Sequence, residues 1–350
     1  MITQIRAAVL ETLGSPLKIK TLEIPKLQTG QILVKVFFSG VCRSQLMERA
    51  GARGNDPWLP HLLGHEGSGI VLAVGDNITK VTIGEEVILG WIKGHGLDAA
   101  GAKYKCDDQI INSGRVTTFS NYSIVSESRV IKKPKGLSLD TAVLFGCALP
   151  TGSGMILNEL KPSPDSSGIV IGLGGVGLSA LIAMKSLGVK MIIAIDVSMA
   201  KLELAKKLGA THTFNSRNLK NAEAVIDLTK GGADFCVESA GTVSTIELGF
   251  SLIRKGGGKM IFASHPPDGE TIRLAPHELI SGKQISGSWG GGTLPDRDIP
   301  KMYKLFKKAN IPLQSMLTKR YTLEQINDAL DDLDAGLVFR PLIVMDHSEK

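Results

Sequence analysis

Residues 167–177 read Ser-Gly-Ile-Val-Ile-Gly-Leu-Gly-Gly-Val-Gly, an apolar run that breaks into glycines. LSALIAMKSLG follows with apolar residues at helical spacing, and then MIIAID, a second apolar run ending on Asp196. Strand, glycine turn, helix and strand in that order make a βαβ unit. Within it Gly172, Gly174 and Gly177 have the spacing of a dinucleotide-binding turn. The first glycine makes the turn, the second admits a pyrophosphate, and the third lets helix and strand approach. Gly175 and Val176 lie between them, where the free N–H groups of a helix N-terminus meet phosphate. Asp196 stands 19 residues beyond Gly177. Its carboxylate suits both hydroxyls of a ribose and repels a 2′-phosphate, and no arginine follows within two residues. NAD is therefore expected rather than NADP.

Working outward, SMAKLELAKKLGA, THTFN, DFCVESAG and GGKMIFAS continue the alternation of strand and helix. That pattern predicts a doubly wound parallel sheet. Upstream the character differs. AAVLE, KIKTLEI, ILVKVFFSGV and GHEGSGIVLAVGDNITKVTIGEEVIL are β-rich runs broken by glycine, proline and serine, the signature of a compact barrel-like domain. Downstream come two amphipathic helices, IPKMYKLFKKAN and LEQINDALDDLDAG, and a strand, RPLIVM. This tail is expected to return to the first domain. The predicted division is therefore residues 1–148 with 288–350, and a nucleotide domain over 149–287 inserted between them.

The composition excludes several classes. At 350 residues, with 43% hydrophobic and 21% charged, the chain has enough apolar material for two cores. No apolar run reaches the roughly 18 residues of a membrane span. MITQIRAAVLETLG lacks the features of a secretory leader, so a cytoplasmic enzyme is expected. The net charge of +6 is scattered, and Lys132, Lys133 and Lys135 or Lys307 and Lys308 are too few for a nucleic-acid stripe. Cys42, Cys106, Cys147 and Cys236 are too far apart for a disulfide framework.

Three of the remaining polar clusters share one chemistry. Cys42 lies in GVCRS, His65 in GHEG and Cys147 in FGCALPTGSG. Two thiolates and an imidazole suit zinc and leave its fourth position open. In this order and spacing, GVCRS, GHEGSGIV, GCALPTGSG and GLGGVG resemble the zinc-dependent medium-chain alcohol dehydrogenases. The likeness extends over essentially the whole chain, through TFSNYSIV and LTKRYTLEQINDAL. It implies an α/β protein with a GroES-like β-rich catalytic domain and a Rossmann nucleotide domain. It also implies that Cys42, His65 and Cys147 bind one catalytic zinc, with Glu66 an inner neighbour able to approach the metal. Ser44 would pass the substrate proton outward. Arg43 and Arg340 match positions that contact the cofactor pyrophosphate, Lys201 one near its ribose, and Thr151 and Val176 ones that support the nicotinamide. The implied reaction is hydride transfer from an alcohol to NAD, or the reverse carbonyl reduction, across a cleft that excludes water. Self-association into a homodimer or homotetramer through GKQISGSWGG is implied as well.

The sequence also departs from the family. Many relatives bind a second, structural zinc through four closely spaced cysteines. The corresponding stretch here, GWIKGHGLDAAGAKYKCDDQ, offers only Cys106, so that ion is expected to be absent. Met47 stands where a relay histidine is common, and Gln45 where an aspartate orients the ligand histidine. Trp91, Arg53, Ser113, Arg115 and His265 fall near positions of the substrate pocket. They suggest a hydroxylated or anionic substrate such as a sugar, cyclitol or polyol derivative. Two alternatives remain: a zinc-free quinone or enone reductase of the same fold, and a non-catalytic NAD-binding protein.

Overall fold

The computed structural model describes residues 2–217, 221–267 and 269–348. Two compact units emerge: Met1–Cys147 with Leu294–Pro300 and Leu313–Lys350, and Ala148–Thr293 with Lys301–Pro312. The first holds β1 (Gln4–Leu10), β2 (Lys18–Glu23), β3 (Gln31–Gly40), β4 (His61–Leu62) and β5 (Glu66–Val74). It continues with β6 (Glu86–Gly90), β7 (Lys103–Cys106), β8 (Gln109–Asn112), β9 (Tyr122–Ser126) and β10 (Val130–Lys132). The second unit holds β11 (Ser167–Ile171), β12 (Met191–Asp196), β13 (His212–Asn215), β14 (Phe235–Glu238), β15 (Lys259–Phe262) and β16 (Gln284–Gly287). The last two strands, β17 (Lys319–Thr322) and β18 (Pro341–Val344), belong to the first unit.

In the first unit, β1, β2, β7, β8 and β4 close into a barrel around Ile5, Ala7, Val9, Leu22, Tyr104 and Ile111. A second sheet runs β10-β6-β5-β3-β18-β17, with β9 also on β3. One edge of β3 is shared in sequence: β9 pairs with Gln31–Lys35, and β18 with Phe38–Gly40. Flanked along its length, β3 is buried at seven of its ten residues, which explains why ILVKVF is apolar but for Lys35.

The second unit is a six-stranded, wholly parallel sheet in the order β13-β12-β11-β14-β15-β16. The order reverses between β11 and β14, the switch point where doubly wound sheets bind ligands at their strand carboxyl ends. The helix Gly175–Ser186 opens directly after β11, and Leu178 to Met184 are all buried on it. The predicted helices at Met199–Leu208 and Ile326–Asp334 form. Two further helices, Asn221–Leu228 and Val243–Leu252, lie outside those expected from the sequence. Among the described residues no single helix is long and apolar enough to cross a membrane.

Candidate active site

Cys42 caps the N-terminus of the helix Arg43–Ala50, just after β3. Gln45, three residues on, accepts the Cys42 backbone N–H on Oε1 at 2.8 Å, and its Nε2 lies 2.5 Å from His65 Nδ1. One side chain thus fixes both residues. His65 enters from a turn in which Gly64 has φ +86°. A Cβ there would lie 2.5 Å from Thr118 Oγ1 and 2.9 Å from the Phe119 nitrogen, so only glycine fits. Cys147 follows a short turn, Val143–Gly146, packed on β5 and β6 through Gly146.

The ligand atoms of Cys42, His65 and Cys147 all lie within 4.8 Å of one another. His65 Nε2 is 3.3 Å from Cys147 Sγ. Donors on a tetrahedral zinc with bonds of about 2.1–2.3 Å stand roughly 3.6–3.8 Å apart, so the three residues fit that ion with little movement. Their protons tell the same story. A hydrogen bond from Cys147, with the charges of Arg340 and His65, holds the Cys42 thiol well below its usual range despite burial. The same bond and burial push Cys147 well above it. Two sulfurs sharing one proton is an arrangement a divalent cation would replace. Burial is the largest single influence on His65 and lowers its basicity, but the hydrogen bond to Cys42 and the negative charges of Cys42, Glu66 and Glu48 together raise it.

Two buried oxygens here have no hydrogen-bond partner among the described residues. One is Ser44 Oγ, in the first turn of the helix that Cys42 caps. A buried hydroxyl left unsatisfied costs about 1–3 kcal/mol, so its place two residues from Cys42 points to a ligand. The other is Glu66 Oε1. Glu66 is fully buried at the start of β5, and its Oε2 is paired with Arg340, itself 4% exposed. A Cβ on Gly40 would stand 2.5 Å from Glu66 Oε1, so that glycine makes the room. Burial raises the Glu66 carboxyl, and the Arg340 charge opposes the rise. The structure thus sets Glu66 outside the close triple and Arg340 against it, whereas Arg43 is exposed.

In the second unit the three glycines separate by role. Gly172 has φ +85°, and a Cβ on it would lie 2.5 Å from the Ala240 nitrogen. A Cβ on Gly177 would strike the Gly172 carbonyl and stand 2.6 Å from Ser239 Oγ. A Cβ on Gly174 would meet nothing within 4 Å. The protein itself requires the first and third and leaves open space over the second. The helix Gly175–Ser186, carrying Val176, begins there without a side-chain cap. Thr151 sits on the buried helix Ala148–Gly154, where a Cβ on Gly152 would strike the Val176 carbonyl.

Asp196 has a second task that sequence reasoning missed. Its Oδ2 accepts the Leu173 N–H at 2.7 Å and its Oδ1 the Ser198 N–H at 2.9 Å, so it braces the glycine turn. Val197 and Met199 beside it are exposed apolar side chains, at 51% and 59%. Lys201 is half-buried on the helix that follows. Glu238 was passed over as well. Fully buried at the end of β14, it accepts from the Ala240 and Gly241 nitrogens and Thr245 Oγ1, and from Ser264 Oγ at 2.6 Å. Its signal was available: like Asp196, it is an acid that closes an apolar strand.

A cavity of about 740 Å³ in the first unit reaches Gly64 and His65. Arg53, Ser113 and Arg115 line it; Trp91 and His265 do not. Trp91 donates its backbone N–H to the Gly146 carbonyl at 3.3 Å, one residue from Cys147. His265 belongs to the second unit and stands edge-on to Trp289, 6.3 Å between ring centres. Cys106 is half-buried on β7, and Cys236 is buried in the parallel sheet.

Residues 28–135 match the family model of the alcohol dehydrogenase GroES-like domain, and residues 175–308 that of the zinc-binding dehydrogenases. The structure is similar to benzyl alcohol dehydrogenase from Acinetobacter calcoaceticus, with 31% identity and a TM-score of 0.89 over 99% of this chain and 100% of that one. An alcohol dehydrogenase zinc-binding domain protein from Burkholderia ambifaria gives 29% identity and a TM-score of 0.91 over 98% and 99% of the two chains. The class-3 alcohol dehydrogenase of Cereibacter sphaeroides is 29% identical over 97% of this chain and 99% of its own length. The chain belongs to the zinc-dependent medium-chain alcohol dehydrogenases, oxidoreductases acting on CH–OH donors.

Proposed function

We propose that this chain oxidises a polar alcohol, such as a sugar, cyclitol or polyol derivative, with NAD, or reduces the matching carbonyl with NADH. The observation that carries the reading is the close triple of Cys42, His65 and Cys147 with the partnerless Ser44 oxygen on the adjoining helix. Cys42, His65 and Cys147 hold one zinc ion, with Glu66 as their buried acidic neighbour. When bound, zinc supplies the Lewis acidity that lowers the pKa of a substrate hydroxyl. Ser44 would take the hydroxyl proton and, because Met47 carries none, release it to water. NAD would supply the hydride acceptor, backed by Thr151 and Val176.

Residues 149–287 carry the cofactor, and 1–148 with 288–350 the metal and substrate. Gly172, Gly174, Gly175, Val176 and Gly177 receive the pyrophosphate at a helix N-terminus, with Arg43 and Arg340 as cationic partners. Asp196 and Lys201 hold the ribose, and Thr151 and Val176 back the nicotinamide. The outer edge of β16, next to the exposed Ile280 and Trp289, supports pairing of two copies as a homodimer or within a homotetramer. Sedimentation should then show a dimer or larger, and a monomer at micromolar concentration refutes it. The deciding experiment is an NAD(H)-coupled screen of alcohols, polyols, sugars and their carbonyl partners. Zinc-loaded protein that binds NADH but turns over nothing would leave a non-catalytic NAD-binding protein. Less than about a tenth of an equivalent of zinc in protein purified without chelator would favour the zinc-free reductase.

A further inference from the structure

The cavity beside His65 is a charged compartment. Its apolar lining includes Leu13, Leu62, Leu63 and Val116. Part of its polar lining comes from three neighbouring barrel strands. His61 on β4 pairs with Asn112 on β8, and Asn112 pairs with Lys103 on β7, so the three stand at one register level. Directly paired residues share a sheet face, and all three line the cavity. The next segment lies alongside: the Ser113 N–H donates to the Ala102 carbonyl at 3.1 Å, and Arg115 follows two residues on.

The charges of this lining do not cancel internally. Arg53, Lys103 and Arg115 supply the basic side chains, against the carboxylates of Glu48 and Asp56. Both carboxylates are already engaged, Glu48 by Arg53 at 2.7 Å and Asp56 by His61 at 2.8 Å. Among the described residues Lys103 Nζ has no ion-pair partner. Arg115 uses only Nε, 3.1 Å from Asp98, an acid it shares with Lys93 at the same distance. Space points the same way. A volume of 740 Å³ holds on the order of 25 waters, far more than a simple alcohol displaces, and falls in the range that takes a ligand of many heavy atoms.

We propose that the substrate is an alcohol carrying an anionic group, a phosphate or a carboxylate, remote from the reacting carbon, and that Lys103 and Arg115 receive that group. The inference rests on the alcohol dehydrogenase reading and narrows its substrate class. A bidentate guanidinium and a mobile ammonium are the usual pair for either anion.

Two measurements test it. The first is kcat/KM of the zinc- and NAD-loaded enzyme for matched pairs: glycerol with glycerol 3-phosphate, sorbitol with sorbitol 6-phosphate, and sorbitol with gluconate. The second follows Trp58, which is 68% exposed at the cavity, by titrating its fluorescence with glycerol 3-phosphate and inorganic phosphate. The anionic member of a pair should be preferred at least about tenfold, and Lys103→Gln and Arg115→Gln should each reduce that ratio about tenfold. Lys26→Gln, an equal charge loss in the same unit away from the cavity, should leave the ratio unchanged. Preference for the phosphates or for gluconate supports the proposal and identifies the anion. Neutral alcohols preferred, or a ratio insensitive to both substitutions, overturns it while leaving the dehydrogenase standing. Anion binding that Lys103→Gln abolishes, without turnover of any alcohol, supports the anion site and refutes the dehydrogenase reading.

Discussion

Gly174→Ala should separate what the nucleotide turn does for the fold from what it does for the ligand. Gly174 has φ −78° and ψ −169°, a conformation alanine adopts freely, and the new methyl would meet no protein atom within 4 Å. Loss of unfolded-state entropy should then stabilise the protein by about 0.4–1 kcal/mol, raising Tm by roughly 1–4 °C. Gly177→Ala should do the opposite. Its methyl is driven into the Gly172 carbonyl and to 2.6 Å from Ser239 Oγ, an overpacking that costs about 1–3 kcal/mol and roughly 2–12 °C. If the space over Gly174 is where the pyrophosphate lies, the harmless methyl costs about 1–3 kcal/mol of cofactor affinity, a rise of roughly 5- to 150-fold in Kd. Calorimetry of both variants, paired with fluorescence titration of NADH, reads the two effects apart. Gly174→Ala with unaltered NADH affinity, or with a Tm loss matching Gly177→Ala, would refute the reasoning.

Elemental analysis should find about one zinc per chain, lost in Cys42→Ser, His65→Ala and Cys147→Ser; close to two equivalents would contradict the expectation drawn from the lone Cys106. Asp196→Ala should both loosen the turn, by removing the acceptor of two backbone N–H groups, and narrow the preference for NAD over NADP at least about tenfold. A variant with unchanged discrimination would exclude Asp196 as the ribose ligand. Glu127 accepts the Thr79 and Lys80 N–H groups at 2.8 Å and that of Leu97 at 2.7 Å, tying down the segment that carries Lys103 and Arg115. Burial pushes its carboxyl up, but the three donors outweigh burial and hold it below the ordinary glutamate value. The stabilisation is therefore complete above the unfolded value of about 4.3 and is lost as pH falls through the lower folded one. Limited proteolysis between residues 91 and 117 should accelerate only on that acid side, whereas Glu127→Gln should cost about 2–3 kcal/mol at neutral pH and flatten the profile. Equal cleavage of the two proteins at pH 7 would show that Glu127 does not hold the segment.

How much of this was legible before folding follows the range of the interactions. The βαβ unit is encoded within 30 consecutive residues, 167–196, as an apolar run, three glycines, a helical period and a closing acid. The zinc triple draws on segments far apart in the chain, yet each segment announces itself locally, and the family likeness joins them. Gln45 illustrates the boundary. Its proximity to Cys42 is local, a capping contact three residues long, but its hold on His65 depends on how β4 and β5 return beside the helix.

The pairing of Glu66 with Arg340 spans 274 positions and exists only because β18 closes against β3 at Gly40. The same holds for the cavity: Arg53, Ser113 and Arg115 face it and Trp91 does not, while Lys103 was unremarked until strand register set it beside Asn112. By itself, then, the sequence determined the two-domain α/β plan, the nucleotide turn and the residues able to hold a metal, because glycine geometry, apolar period and ligand chemistry are properties of short segments. Only the tertiary structure decided which charges neutralise one another and which are left facing the cavity. Charge balance is set by distances of a few ångströms between strands that are remote in sequence.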